Sequence, residues 1–258
     1  MMKKIIAVLF ALAMVTSEAY AFKSLGHQTI AALAQRHLTE QAKGEVQAIL
    51  KSDMSKHAMW LFTLRSRTDL AYVQEWQFTT LNAEGKSVTT DATDGMVALE
   101  NAVKVLRNRK NESDSLVLAS LRTVIQVVGD IHTPSNIRIE GNEATKGFKF
   151  TLVSRKTKSE VSWRNMWHNY ANRHDVFSAD YYATDVEIFA GDRKAEYEKG
   201  TPRFWAENVG EDVVRCLKVV YPGAEVSMTD YNNYEYLYDK CMAKAGYRLA
   251  ALLNDIFK

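Results

Sequence analysis

The stretch VVGDIHTPSN, Val127–Asn136, decides how this chain is read. It closes the run LVLASLRTVIQVVGDIH, whose apolar residues recur at helical spacing. Pro134 stops that helix, because proline lacks the N–H the next turn needs. Asp130 and His132 therefore fall at a helix end, a carboxylate and an imidazole two residues apart, and both are metal-ligand side chains. The neighbouring positions that would complete a ligand set carry Gln126 and Asn136, neutral amides that bind zinc weakly.

The same periodicity extends along the chain. TIAALAQRHL (29–38) has apolar residues at helical spacing, and Thr39 is placed to cap a second helix, EQAKGEVQAILK. Further helices are expected near 56–66 and from about 93 to 108, and Ser113 or Asp114 can cap the run that ends at Pro134. NIRIE and GFKFTLVS alternate and read as a small hairpin. VSWRNMWHNYANRHDVF is helical again, TPRFWAENVGEDVVRCLKVVY opens with Pro202 in its first turn, and YLYDKCMAKAGYRLAALLNDIF is the last helix. Only three prolines and twelve glycines occur in 258 residues, which favours long helices over tight turns. No repeat or linker divides the chain, so the expectation is one mainly α domain over residues 22–258 with a minor β-hairpin.

The first residues read as a secretory signal over 1–21. Lys3 and Lys4 precede the apolar core IIAVLFALAMV, and AYA ending at Ala21 is a small-x-small cleavage site. Cleavage leaves Phe22 as the new N-terminus of a periplasmic or secreted protein, and no later segment is long and apolar enough to span a membrane. The formal charge is +2, and removing Lys3, Lys4 and Glu18 leaves about +1, so no global basic field points to nucleic acid. KFTLVSRKTK (149–158) is a local basic patch, either a solvated hairpin face or a phosphate track. Cys216 and Cys241 are the only cysteines. In an exported protein they suggest one disulfide joining the last two helices, worth roughly 3 kcal/mol, or else two buried free thiols. The five tryptophans Trp60, Trp76, Trp163, Trp167 and Trp205 are core residues or base-stacking platforms.

Phe22–His27 reads FKSLGH. A deprotonated α-amine and the carbonyl oxygen of the same residue can chelate a metal, His27 can close on that ion, and Asp130 can add a carboxylate.

Taken together these motifs resemble the exported, zinc-dependent single-strand nucleases of the mung-bean-nuclease type, which share the phospholipase C/nuclease fold. The family's Trp-x-x-x-Gly-His start matches Phe22 through Gly26–His27, and its Leu-Thr-x-x-Ala step matches AALAQRHLTEQA. Its His-x-x-Gly-Asp-x-His-Gln-Pro-x-His motif matches QVVGDIHTPSN, its late Trp-Ala-x-Glu-Ser matches WAENV from Trp205, and its last helix matches AGYRLAALLNDIF (245–257). The resemblance spans the mature chain. It implies a mainly α nuclease-like fold, hydrolysis of single-stranded DNA and RNA and of 3′-nucleotides, and three zinc ions, two of which share a bridging Asp and an activated water.

Position by position, most of the implied ligands are replaced. The N-terminal residue is Phe22, His27 is present, and the bridging Asp, the catalytic candidate, is Asp130. The first-site carboxylate falls on Phe62, the His of a Trp-His-Tyr step on Gln77, the His before the bridging Asp on Gln126, and the closing His on Asn136. His132 matches an inner His that is not a ligand. The final His and Asp of Asn-Leu-His-x-x-x-Asp fall on Trp167 and Ala171, and a one-residue shift offers His168 with Asn172. The expectation is at most one zinc, held by Phe22, His27 and Asp130 with His168 as a further candidate, or none. Hydrolysis is then lost or cut by orders of magnitude. Two other readings stay open: a phosphodiesterase working with fewer metals, and a non-catalytic envelope module that binds nucleotides, single-stranded nucleic acid or a protein partner.

Overall fold

The computed structural model describes residues 25–64, 66–168 and 178–258. The fold is mainly α, as expected. Helix α1 (25–36) is followed by α2 (Glu40–Leu50), the short α3 (Trp60–Thr63), α4 (Gly95–Arg107), α5 (Asp114–Ile131) and α6 (Trp163–His168). Then come α7 (Ala179–Ala190), the short α8 (Lys194–Tyr197), α9 (Pro202–Cys216), the short α10 (Met228–Asn232) and α11 (Glu235–Ile256). The capping signals work as read: the hydroxyl oxygen of Thr39 accepts from the Ala42 N–H at 3.2 Å, and that of Ser113 from Leu116 at 3.4 Å.

α5 is the axis of the molecule. Every residue from Thr123 to Ile131 is buried, and α5 packs against α2, α3, α4, α9 and α11. One set of packed apolar residues runs from Ile30 in α1 to Phe257 after α11. Because this second half of α5 is buried on all sides, its polar residues Gln126 and Asp130 must find partners inside the protein.

Several local expectations are corrected. The segment near 56–66 is not one helix but a 3-10 turn (Met54–His57) and then α3. Met59 between them is non-helical, and His57 is held by Ser52 and Arg122. The hairpin uses a different partner. β3 (Lys149–Val153) pairs antiparallel with β4 (Lys158–Ser162), across a turn closed by Ser154 and Thr157, and parallel with β5 (Glu225–Ser227). NIRIE instead supplies β2 (Ile137–Ile139), which pairs in parallel with β1 (Thr79–Leu81). Alternation marks a strand but does not name its neighbour. Val161 and Ser162, expected in the next helix, end β4, and the helix starts at Trp163.

The basic hairpin face is laced with carboxylates, Lys149 on Glu160 and Lys158 on Glu225, each at 2.5 Å. The disulfide expectation is also corrected. Cys216, closing α9, and Cys241, in α11, are free and buried, and burial pushes both thiols up, Cys241 to about 12. No helix among the described residues is long and apolar enough to cross a membrane.

Candidate metal centre

Asp130 lies in the last turn of α5 with none of its surface exposed. Gly129 before it lets α1 come close. A Cβ there would stand 2.5 Å from His27 Nδ1 and 2.9 Å from Cε1, so only glycine allows the imidazole to lie against α5. His27, 7% exposed, then faces the carboxylate, with Nε2 at 3.4 Å from Asp130 Oδ1. That is longer than an ordinary N–H···O bond and close to the distance of about 3.3 Å between neighbouring ligands of a tetrahedral zinc with bonds near 2.0–2.1 Å. His27 Nδ1 and Asp130 Oδ2 are buried without a hydrogen-bond partner among the described residues. By spacing alone, His27 Nε2 and Asp130 Oδ1 can sit on one ion. Phe22, the expected source of the remaining donors, lies outside the described residues, as does Ala171.

The substituted positions are occupied by structural bonds and packing. The Asn136 amide donates through Nδ2 to Asp130 Oδ1 at 2.9 Å and to the Asp130 carbonyl at 3.4 Å. Its N–H points at the same carboxylate oxygen that faces His27 Nε2. Gln126 Oε1 accepts from the Leu61 N–H at 2.7 Å, fixing the start of α3 just before Phe62. Gln77 ends the 3-10 segment Thr68–Gln77, and its Oε1 accepts from Arg164 Nη2 at 2.5 Å. Trp167, 1% exposed, packs edge-on to Trp163 at 5.3 Å and to Tyr234 at 6.4 Å between ring centroids. Apolar bulk therefore stands where a ligand was expected. Trp205 is buried as well, whereas Trp60 and Trp76 are partly exposed.

His168 reaches a cavity of about 40 Å³ beside His27, lined also by Gly129, Trp167, Tyr238 and Met242. The structure thus brings His27 and His168 to one cavity. Even so, no group of three or more His, Cys, Asp or Glu able to hold a metal occurs among the described residues. His132 also lines this cavity, but both of its ring nitrogens are engaged elsewhere. Arg248 Nη1 donates to its Nε2 at 2.8 Å, so the ring proton sits on Nδ1 and goes to the Val128 carbonyl at 2.7 Å. Burial, and then the Arg248 charge, hold His132 well below the usual imidazole range. Burial also pulls Arg248 down to about 10. This is a neutral, structural histidine, as its place in the motif implied.

Sequence reasoning missed Arg138, in the middle of β2, and Arg164, in the first turn of α6. Both guanidiniums lie over the ring of Phe78, the residue after Gln77, with their carbons 3.7 and 5.6 Å from its centroid. The only sequence signal is that Arg164 adjoins Asn165, on which the last ligand pair was aligned.

A helical protein with a histidine from its first helix set against a buried carboxylate at the end of a central helix fits the expected nuclease-like class. Comparison makes this specific: the sequence model of the S1/P1 nuclease family matches residues 22–258, and the chain belongs to that family. It is similar to Nuclease S1 of Aspergillus oryzae (strain ATCC 42149 / RIB 40), with 26% identity over 274 aligned residues that cover 92% of each chain.

Proposed function

We propose that this chain is a degenerate S1/P1 nuclease-family protein, in which amides and packed aromatics have taken over the positions of the paired hydrolytic metals. The observation that carries the reading is the Asn136 amide on Asp130: where the family resemblance implies a closing histidine ligand, an N–H donates to Asp130 Oδ1 at 2.9 Å. The Gln126 bond to Leu61 and the buried Trp167 support it, since neither position presents a zinc ligand.

One zinc is compatible with the residues that remain. His27 and Asp130 are spaced as two ligands of a single ion, the amine and carbonyl of a processed Phe22 supply two more donors, and His168 lines the adjoining cavity. A zinc held by these residues would supply Lewis acidity. The chain's own contribution is to fix the imidazole against Gly129 and to hold Asp130 in place through Asn136. Without a second ion to stabilise the opposite oxygen, hydrolysis of single-stranded DNA, RNA and 3′-nucleotides falls by orders of magnitude. Export as a single domain over 22–258, after loss of 1–21, is part of the proposal. The family match beginning at Phe22, the expected first residue after cleavage, supports it.

The test is hydrolysis of 3′-AMP and single-stranded DNA by the chain beginning at Phe22, in excess zinc, beside a family member with a full ligand set. Rates lower by orders of magnitude are expected, and comparable rates would overturn the reading.

A further inference from the structure

We infer that the groove between the α4–α5 pair and the 3-10 segment Thr68–Gln77 binds a neutral small molecule with an apolar, ring-bearing body and a single hydroxyl or carbonyl group. The groove encloses about 480 Å³ and shares no lining residue with the cavity beside His27, so the inference does not depend on how the metal centre is read. Sites for small molecules run from about 300 to 1,000 Å³ and are lined mostly by apolar and aromatic side chains. Small residues give this one its depth: Ala98 and Ala102, one turn apart on α4, and Ala119 on α5. Aromatic rings line it from the other side. Tyr72, half exposed, meets Trp76 edge-on at 5.7 Å between ring centroids, and the Trp76 indole N–H donates to the Ala92 carbonyl at 3.2 Å. Trp60 also lines the groove, with the Arg122 guanidinium 6.0 Å from its ring centre, and Arg122 is itself held by its Nε on His57 at 3.0 Å.

One polar side chain deep in this groove points to a ligand. Ser120, on α5, is only 5% exposed and lines the groove, yet its hydroxyl makes no hydrogen bond among the described residues. Thr123, three residues further on, shows the alternative, since its hydroxyl donates to the Ala119 carbonyl of its own helix at 2.9 Å. A hydroxyl both donates and accepts, so Ser120 can meet either a hydroxyl or a carbonyl of the bound molecule. None of the lining side chains is charged, and a charged ligand group would lose its water without gaining a partner. An extended peptide or a nucleobase brings several polar groups, which only Ser120 and the exposed Asn101 amide could meet. The lining therefore selects one polar group on an apolar body. The aromatic wall favours a ring in that body, through offset or edge-to-face contact.

The test is calorimetric titration of the full mature chain with para-propylphenol and with propylbenzene, which has the same body without the hydroxyl. One molecule of para-propylphenol should bind per chain, with the negative heat-capacity change of apolar burial. Ser120→Ala should weaken para-propylphenol roughly fivefold, as for loss of one neutral hydrogen bond, and leave propylbenzene unchanged. Ala119→Leu, at a half-buried position, should weaken both by about tenfold or more, because the larger side chain takes the ligand's space. On the wild-type chain, alanine-methyl NMR should show the largest shifts at Ala98, Ala102 and Ala119, a readout that does not depend on the variants folding. Absent saturable binding, or shifts confined to other alanines, overturns the site. A Ser120→Ala chain that binds para-propylphenol as tightly as wild type overturns the role of the hydroxyl and with it the stated ligand class. Adenosine binding as tightly as para-propylphenol overturns the ligand class as well.

Discussion

Replacing Asn136 with alanine removes the amide that anchors Asp130. The wild-type carboxylate is fully buried and accepts from Asn136 Nδ2 at 2.9 Å, with His27 Nε2 further off at 3.4 Å. Its second oxygen already lacks a partner among the described residues, so the amide is a large part of what offsets burying this group. A hydrogen bond to a charged group contributes about 1.5–3 kcal/mol, and the weaker contact to the Asp130 carbonyl goes with it. The expected loss is therefore about 2 kcal/mol. For a chain of this size that lowers the melting temperature by roughly 4–8 °C. The assay is thermal unfolding of metal-free Asn136→Ala beside the wild type, with Asp130→Asn and the double variant completing a cycle. A coupling energy above about 1 kcal/mol is expected. An Asn136→Ala protein that melts within 1 °C of wild type, with no coupling to Asp130, would refute the claim that this amide holds the carboxylate.

Trp167→Ala should cost about 3–5 kcal/mol in urea unfolding, because it removes a buried indole packed against Trp163 and Tyr234. Gly95→Ala should destabilise by more than about 1 kcal/mol. The added Cβ meets the Trp76 carbonyl at 2.3 Å and the Phe78 carbonyl at 3.0 Å, both backbone atoms, and this exceeds any gain in helix propensity. His57 is held below the usual imidazole range by burial first and by the Arg122 charge second. The unfolded chain then takes up a proton near pH 6.5 that the folded chain refuses, so its contribution to stability is complete above about 6.5 and is lost as pH falls through the lower folded value. Melting curves from pH 7.5 to 5 should show a decline that is shallower in His57→Gln. Thiol titration of the unfolded chain should count two free thiols, whereas a count of zero would mean that Cys216 and Cys241 bond after all.

The helical layers were legible in the sequence because they rest on local signals. Thr39 and Ser113 cap as read, and the α5 pattern predicted a helix stopped before Pro134. What needed a partner in space was not legible. β2 reads as half of a hairpin but pairs with β1, nearly sixty residues earlier, and nothing in NIRIE specifies that choice. Helix α7 escaped notice because its apolar residues are interleaved with exposed Tyr181 and Ile188, although Ser178 caps it, accepting from Tyr181 at 3.1 Å. At the candidate centre, the ligand positions that the resemblance implies could be named from the motif. What replaced them could not, because the Asn136 amide and the Arg164 guanidinium act through geometry. Arg164 lies 87 residues from Gln77 in the chain and meets it only in the fold.

The most direct test of the degenerate centre is elemental analysis of the chain beginning at Phe22, purified without chelator, beside its His27→Ala, Asp130→Ala double variant. The account predicts no more than one zinc per chain, with any bound zinc lost in the double variant. Two or three zinc ions per wild-type chain would contradict it.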